Sequence, residues 1–246
     1  MKIRIKFRKY GTMKFIGHLD IMRFFQKAIR RSGIDICYSE GFSPHQIMSF
    51  AAPLGVGITS DGEYLDIEVH TSKSSHESIA DLNAVMPEGM EITGYVQLDD
   101  KSKTAMSVVS AADYEIWYKD ESSIPEILRD EPALQTMLER FFLVPDEVLV
   151  TKKTKKSEKT IDLKKLVYHF QIHPVQECLP FSPVFQLRIS TGSTQNLKPE
   201  LVLETFYHNM GLEFSPYEVQ IHRKDVYYTE PNGAFAPLLH AGTEIV

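Results

Sequence analysis

Hydrophobic and basic residues alternate strictly at the start of the chain. Ile3, Ile5 and Phe7 fall on one face of an extended segment, and four Lys and Arg side chains fall on the other. A period of two is typical of a half-buried strand. We therefore predict a strand over Lys2–Lys9 with a cationic outer face.

The pattern then changes to the period of a helix. On a wheel of about 100° per residue, Arg23, Lys27, Arg30 and Arg31 share one arc. Gly33 follows as the expected C-cap. We predict an amphipathic helix over residues 18–31, with a basic ridge that faces solvent or a ligand. Its opposite, apolar side comprises Leu19, Ile21, Met22, Phe24, Phe25, Ala28 and Ile29.

The next segments complete a β-α-β-β-α-β order, which is that of a ferredoxin-like split βαβ domain. Alternation and turn residues delimit each segment. The predicted elements are a strand over 34–38, an apolar strand end over 46–52, a strand over 63–69, a helix over 74–85 and a strand over 90–98.

After a polar join the pattern begins again, and we interpret it as a second, expanded copy. The fold class is thus α+β with two tandem ferredoxin-like domains, 1–99 and 105–230, and a tail over 231–246 that is a loop or a loosely docked segment. The predicted elements of the second copy are strands over 111–118, 147–151, 160–172, 184–189 and 219–228, and helices over 123–142, with a break at Pro132, and 199–210.

Composition is that of an ordinary globular protein, with 43% hydrophobic and 24% charged residues. Cys37 and Cys178 lie far apart, which excludes a disulfide framework and a Cys-rich metal site and suits a reducing cytosol. The sequence has no signal-peptide pattern and no apolar run of roughly 20 residues. We expect a cytoplasmic protein without a membrane segment.

Charge is distributed unevenly along the chain. The total is −6, yet residues 1–31 hold ten basic residues against Asp20 alone, a net charge of +9. A second basic segment, Lys152–Lys165, holds seven lysines. Such patches bind polyanions in many proteins, and in others they only keep a surface soluble. The second segment is either a solvated hairpin or an arm that reaches for RNA phosphates.

The most specialised residues lie in and just after the basic helix. His18 at the helix start could act as a general base or contact a phosphate, although packing of the turn explains it more simply. The loop over residues 39–45 could grip a phosphate or stack a base, or could be a packed turn with its aromatic ring in the core. The predicted RNA- or phosphate-binding residues are Arg23, Lys27, Arg30, Arg31, Ser39, Gly41, Phe42 and Ser43.

Other site chemistries find little support in the sequence. The nine histidines are scattered, and no HExxH motif appears. The glycines over residues 55–62 lack the Gly-Lys-Ser/Thr ending of a P-loop. We predict no metal site and no cofactor, and we leave catalytic activity open.

Five motifs together resemble the radical-SAM-linked protein family, which carries a domain of unknown function and is encoded beside or fused to a radical SAM protein. They are GHLD (17–20), RRSG (30–33), YSEGFSPH (38–45), SFAAPLGVG (49–57) and SDGEYLDIE (60–68). The resemblance implies a bacterial cytosolic protein that works with a radical SAM enzyme in RNA modification or processing. The chain has no CxxxCxxC triad, so the partner would hold the cluster.

At the level of the fold, the predicted tandem arrangement also looks like the RAMP-type CRISPR endoribonucleases. In those proteins a His near the first helix can be catalytic, and His18 sits in a comparable place. TEPNGAFAP (229–237) lacks the glycine-rich pattern that the resemblance would require late in the chain.

Three hypotheses follow for the function. The first is an RNA-binding accessory protein that presents tRNA or rRNA to a radical SAM enzyme. The second is a metal-independent endoribonuclease that uses His18, with the Arg ridge stabilising the transition state. The third is a pure protein–protein adaptor of the same enzyme. The missing partner for His18 favours a binding surface over an active site.

Overall fold

The computed structural model describes residues 1–153, 158–173, 183–193 and 195–246. They form an α+β structure with two compact units. The first unit comprises Met1–Ala111, Thr191–Thr194 and His222–Val246, and the second comprises Ala112–Ser190 and Gln195–Ile221. The predicted domains, 1–99, 105–230 and 231–246, stay a prediction, and the compact units have other bounds.

Strands outnumber helices in the described residues. The strands are β1 (Lys2–Lys9), β2 (Met48–Phe50), β3 (Thr59–Glu68), β4 (Met90–Leu98), β5 (Val109–Tyr118), β6 (Leu149–Lys153), β7 (Glu158–Asp162), β8 (Val167–His173), β9 (Val184–Ser190), β10 (Val219–Thr229) and β11 (Phe235–Pro237). The α-helices are α1 (His18–Arg31), α2 (Ser75–Asn83), α3 (Ala105–Val108), α4 (Glu131–Leu138) and α5 (Pro199–Asn209).

The sheet of the first unit is mostly antiparallel. Its strands lie in the order β4, β1, β3, β10, and β2 also pairs with β3. β1 is antiparallel to β3 and to β4, and β2 is antiparallel to β3. β10 alone runs parallel to β3, at Thr59 and Ser60. The predicted bounds of β1, α1 and β4 are confirmed.

The core of the first unit joins the sheet to α1 and α2. Phe7 of β1 meets Phe25 of α1 with ring centroids 4.8 Å apart. The pattern of α1 explains this packing, because Ile21, Phe25 and Ile29 recur at the spacing of one helix face. The predicted strand over 34–38 is wrong, since this segment makes only isolated bridges at Ile36 and Tyr38.

The basic side chains of β1 are buried or half-buried, so the predicted outer cationic face is only partly open to solvent. Arg4 is 1% exposed. Its Nε and Nη2 donate to the two carboxylate oxygens of Asp66 at 2.8 and 2.9 Å, and its Nη1 donates to the carbonyl of Leu238 at 3.0 Å. Asp66 also accepts from the backbone N–H of Ala105 at 2.6 Å. Both charges are therefore paired and hydrogen-bonded, as burial requires.

The other basic side chains on this face also meet acids from other strands of the sheet. Lys6 donates to Asp225 of β10 at 2.7 Å. Arg8 donates to Asp61 of β3 at 2.8 Å and to Glu91 of β4 at 3.1 Å. Cross-strand pairing of opposite charges thus neutralises most of the charge that the sequence concentrates in β1.

The predicted loose tail is also wrong, because the C-terminal segment is docked on the first unit. β11 pairs with β10, and a 3₁₀ turn follows at Leu238–Ala241. Thr243 forms a bridge with Gln97 of β4. Ile245 packs against the core, and its backbone bonds Ser75 at the start of α2. These contacts tie the segment to β10, β4 and α2.

The second unit contains a three-strand array and a separate hairpin. β5, β9 and β8 lie side by side in that order, with β8 antiparallel to β9. β6 pairs with β7. Buried aromatic side chains hold α5 in place. Among them, the hydroxyls of Tyr118 in β5 and Tyr207 in α5 lie 2.8 Å apart. Of the predicted basic segment Lys152–Lys165, residues 154–157 lie outside the described residues, as does Cys178.

Two predictions for the second unit need correction. The helix predicted over 123–142 consists of 3₁₀ turns, α4 and a π-helical turn at Glu139–Leu143. Pro132 does not break it but lies in the first turn of α4, where its missing N–H costs nothing, and Asp130 caps the start. The strand predicted over 160–172 is interrupted by a 3₁₀ turn at Leu163–Lys165 that Asp162 caps.

The buried pair of Arg4 and Asp66 leads to a stability prediction. Arg4→Met leaves the Asp66 carboxylate buried without its guanidinium, and removal of one partner of a buried pair costs about 3–5 kcal/mol. As a control, Arg23→Met breaks an exposed pair with Asp20, which is worth about 0–1 kcal/mol. Urea unfolding followed by circular dichroism measures both. Equal losses in the two variants would contradict the assignment.

Candidate nucleic-acid interface

The basic ridge of α1 is exposed as predicted from the helical wheel. Arg23 pairs with Asp20 at 3.2 Å, and both side chains are about two-thirds exposed, at 68% and 67%. Arg30 donates to a backbone carbonyl of its own helix, and Lys27 is exposed. Arg31 donates to the carbonyl of Val85, just after the end of α2, at 3.2 Å. The cations of α1 therefore meet weak local partners and no buried acid.

A second feature is the loop over residues 37–47, whose base is bonded to the end of β3; we call it the 37–47 loop. Its two arms are joined by backbone hydrogen bonds, from Ile47 to Cys37 at 2.9 Å and from Ser39 to His45 at 2.8 Å. The Cys37 N–H bonds the carbonyl of Glu68, which fixes the base of the loop on β3. The loop therefore has a bonded stem and a short tip over residues 40–44.

Side chains close the tip of the 37–47 loop. The Ser39 hydroxyl lies 2.9 Å from Nδ1 of His45 and accepts from the His45 backbone N–H at 3.1 Å. Gly41 has φ +104°, a left-handed conformation that favours glycine. Phe42 and Ser43 are exposed. The ring of Phe42 is thus presented to solvent and not packed in the core, and the hydroxyl of Ser39 serves the loop itself.

The loop and the helix are joined by a glutamine. Nε2 of Gln46, a buried residue, donates to the carbonyl of Gln26 in α1 at 3.2 Å. Gln26 lies between Arg23 and Arg30 in the sequence of the helix, so the contact brings the predicted ridge and the predicted loop to one place. Oε1 of Gln46 is buried without a partner among the described residues.

His18 is half-buried at the first turn of α1. Its ring stands edge-on to Phe50, with centroids 5.1 Å apart and planes at 87°. Within the described residues no polar side chain lies at hydrogen-bond distance from it. Packing of the turn accounts for this geometry, and the catalytic role of His18 stays a prediction without further support.

An apolar patch near His18 was missed by the sequence analysis. Leu19 is 62% exposed, although the helical wheel placed it on the buried side. Phe15, Ile16 and Val56 are also exposed beyond a third of their surface. The loop that carries Val56 is tied to the same turn by the bond from the Gly57 N–H to the carbonyl of Lys14 at 2.8 Å. We call Phe15, Ile16, Leu19 and Val56 the apolar patch.

Buried charges form a further cluster that local sequence patterns do not reveal. Nε of Arg223 donates to Glu63 at 2.8 Å, and its Nη2 donates to the carbonyl of Ala52 at 2.7 Å. Lys9 is buried beside them and donates to the carbonyl of Ile16 at 2.7 Å. Burial lowers the pKa of the Lys9 ammonium, while Glu63 raises it and Arg223 lowers it further.

A hydrogen-bonded chain lies where β10 meets β3. The ring of His222 contacts Thr59 Oγ1 through Nδ1 at 2.8 Å and Asp61 through Nε2 at 3.1 Å. An ionised carboxylate only accepts, so Nε2 of His222 donates to Asp61. The hydrogen bond from His222, followed by that from Arg8, holds the pKa of Asp61 well below its usual range, although burial opposes this.

Among residues 1–153, 158–173, 183–193 and 195–246, no group of three or more His, Cys, Asp or Glu side chains is placed to hold a metal ion. In that part of the chain, no helix combines the length and apolarity that crossing a bilayer demands.

The fold and this surface define an α+β protein whose exposed features are a basic helix and an aromatic-tipped loop. The chain belongs to a family described as an uncharacterized protein conserved in bacteria (DUF2344), which matches residues 2–199. The match extends well beyond the motifs between residues 17 and 68. No curated protein is significantly similar to the chain. Membership of a bacterial family of unknown function is confirmed. The family match gives no support to the predicted radical SAM partner or to the RAMP resemblance.

The low pKa of Asp61 leads to a prediction about acid stability. A carboxyl whose pKa is lowered by folding stabilises the protein above its unfolded pKa, about 3.9, and loses that contribution as the pH falls toward the folded pKa. Wild type should therefore exceed Asp61→Asn in free energy of unfolding at pH 7, and the difference should shrink below about pH 4. Urea titrations from pH 7 to pH 3 measure it. A difference that stays constant with pH would refute the assignment.

Proposed function

We propose that the protein is an RNA-binding accessory protein, with α1 and the 37–47 loop as its RNA-binding surface. The observation that carries the proposal is the joining of the two features through Gln26 and Gln46. The helix offers exposed cations beside a loop that offers an exposed aromatic ring. Cations for phosphates together with rings for bases are the combination that RNA-binding surfaces use.

The distribution of charge supports the same proposal. Most cations of β1 are paired with acids, whereas Arg23, Lys27 and Arg30 are exposed on α1. A chain of net charge −6 therefore keeps a local positive field at this helix. Phosphates that bind there would release counterions, which makes binding depend steeply on salt.

An accessory role with a radical SAM enzyme rests on the family resemblance and on the apolar patch. Phe15, Leu19 and Val56 are each more than 60% exposed, at 63%, 62% and 63%. Clustered exposed apolar side chains of this size commonly mark protein–protein contacts. The sequence holds no CxxxCxxC triad, so the enzyme would supply the radical chemistry and this chain would supply the RNA.

We also propose that the chain contains two tandem ferredoxin-like domains. In the first unit, the antiparallel order β4, β1, β3, β2 with helices as crossovers supports a split βαβ arrangement. In the second unit, the order β5, β9, β8 supports the same arrangement, with α4 after β5, α5 after β9, and the β6–β7 hairpin as the expansion.

RNA affinity provides the first test of this function. We expect Arg30→Ala/Arg31→Ala to weaken binding of a structured RNA and to flatten the slope of log affinity against log salt by about 1.4 to 1.8, as for two lost phosphate contacts. Lys101→Ala/Lys103→Ala removes the same charge from exposed positions outside the surface and should change little. Fluorescence anisotropy over a salt series measures both. Wild-type protein without RNA affinity at low salt, alone and with the partner, would end the proposal.

Partner capture provides the second test. Leu19→Asp/Val56→Asp places two charges in the apolar patch and should abolish nuclease-resistant co-purification of the radical SAM enzyme from the native cell. Leu143→Asp is the control, because Leu143 is similarly exposed, at 57%, but lies in the second unit. Capture of the enzyme by the double variant at the wild-type level would exclude the patch as the docking site.

A further inference from the structure

We infer that the RNA recognised by this surface is unpaired, and that Phe42 stacks on one of its bases. This inference rests on the proposed function and names its substrate class. The structure supports it through the position of Phe42, the rigidity of the loop that carries it, and the placement of the loop beside the cations of α1.

Phe42 is the most exposed aromatic residue in the described part of the chain. Its relative exposure is 112%, so the described protein covers no part of the ring. A ring held in water loses the stabilisation that burial would give a side chain of this size. Both faces remain available, and a nucleobase is a flat partner that can cover either of them.

The loop that carries this ring has a backbone with little conformational freedom. Ser39 and His45 are joined three times, once between backbone groups and twice through the Ser39 hydroxyl. Gly41 supplies the positive φ that the tight tip needs. Because the tip is closed before any ligand arrives, a base that stacks on Phe42 would not have to pay for ordering the loop.

The base of the same loop offers a second ring. Tyr38 is 48% exposed and forms the bridge with Gln46, which is the residue that contacts α1. The surface therefore runs from the cations of α1 through Tyr38 to Phe42 at the tip. A single strand exposes phosphates and base faces together, and can meet cations and rings along one path.

A continuous duplex cannot use these rings in the same way. Its base faces are covered by neighbouring base pairs, so a duplex offers α1 its phosphates and offers Phe42 no free face unless a base is unstacked. A loop, bulge or single-stranded end presents the free face without that cost. The aromatic tip therefore discriminates for unpaired RNA, while the basic ridge binds either form.

The experiment compares three RNA probes of equal length in fluorescence anisotropy: a single strand, a hairpin with an unpaired loop and a blunt duplex. We expect wild type to bind the first two more tightly than the duplex. Phe42→Ala should weaken binding of the single strand about tenfold, as for one lost stacked base, and leave duplex binding unchanged. Phe42→Trp, which keeps an aromatic face, should bind the single strand about as tightly as wild type. Phe42→Leu, apolar but without an aromatic face, should bind it as weakly as Phe42→Ala.

The matched control is Arg30→Ala/Arg31→Ala, which should weaken all three probes because each carries phosphates. Stacking has its own signature in Phe42→Trp, whose emission should be quenched by the single strand beyond any change in wild type, where Trp117 is the one tryptophan. Because position 42 is exposed at a loop tip, these variants should fold, and circular dichroism checks it.

Failures of the two proposals can be told apart. If the arginine variant loses RNA and Phe42→Ala binds the single strand as wild type does, RNA binding stands and the base-stacking inference is overturned. If Phe42→Ala keeps its RNA affinity but loses a co-purified protein, the ring docks a protein and the inference is likewise overturned. If wild type binds none of the probes at low salt, the proposed function itself fails.

Discussion

The first unit depends on the neutralisation of Arg4 inside its sheet. This guanidinium satisfies both oxygens of Asp66 and the carbonyl of Leu238, while Asp66 also accepts from Ala105. One buried pair thus ties β1 to β3, to the start of α3 and to the C-terminal 3₁₀ turn. A buried charge is tolerated only when its partners are all in place, so the C-terminal segment has to return to the unit in which the chain begins.

This constraint divides the basic residues of the N-terminal segment into two groups. Lys6 and Arg8 meet Asp225, Asp61 and Glu91 on other strands of the same sheet, which holds the opposite charges close together. On α1, Arg23, Lys27 and Arg30 lie about one turn apart, and Asp20 is the only acid of that helix. The same residue types therefore stabilise the sheet in β1 and remain exposed to solvent in α1.

Local pattern was enough to predict the elements that local forces determine. β1, α1 and β4 have the predicted bounds because alternation and helical period depend on neighbours a few residues away. The exposed positions of Arg23, Lys27 and Arg30 followed from the same wheel. Leu19 did not, because the wheel gives the direction of a side chain and not whether another element covers it.

The burial of Arg4 and the docking of the tail could not be predicted in this way. Asp66 lies 62 residues from Arg4, and Leu238 lies 234 residues away. No periodicity within a strand connects positions so far apart. Alternation indicated the two faces of β1 correctly, but which face meets solvent depends on strand order, and strand order depends on pairings that only the folded chain reveals.

The 37–47 loop shows the opposite relation between sequence and structure. Its composition indicated a specialised turn, yet a packed ring and an exposed ring were both compatible with it. The folded chain separates them through one contact: Gln46 occupies the buried position beside Gln26, and the bonds between Ser39 and His45 close the loop beyond it. The buried side of the loop is therefore filled by an amide, and Phe42, at the far end of a closed tip, has no route into the core. A fold that keeps an aromatic ring in water beside exposed cations retains a surface whose chemistry suits a ligand with both charge and flat apolar faces.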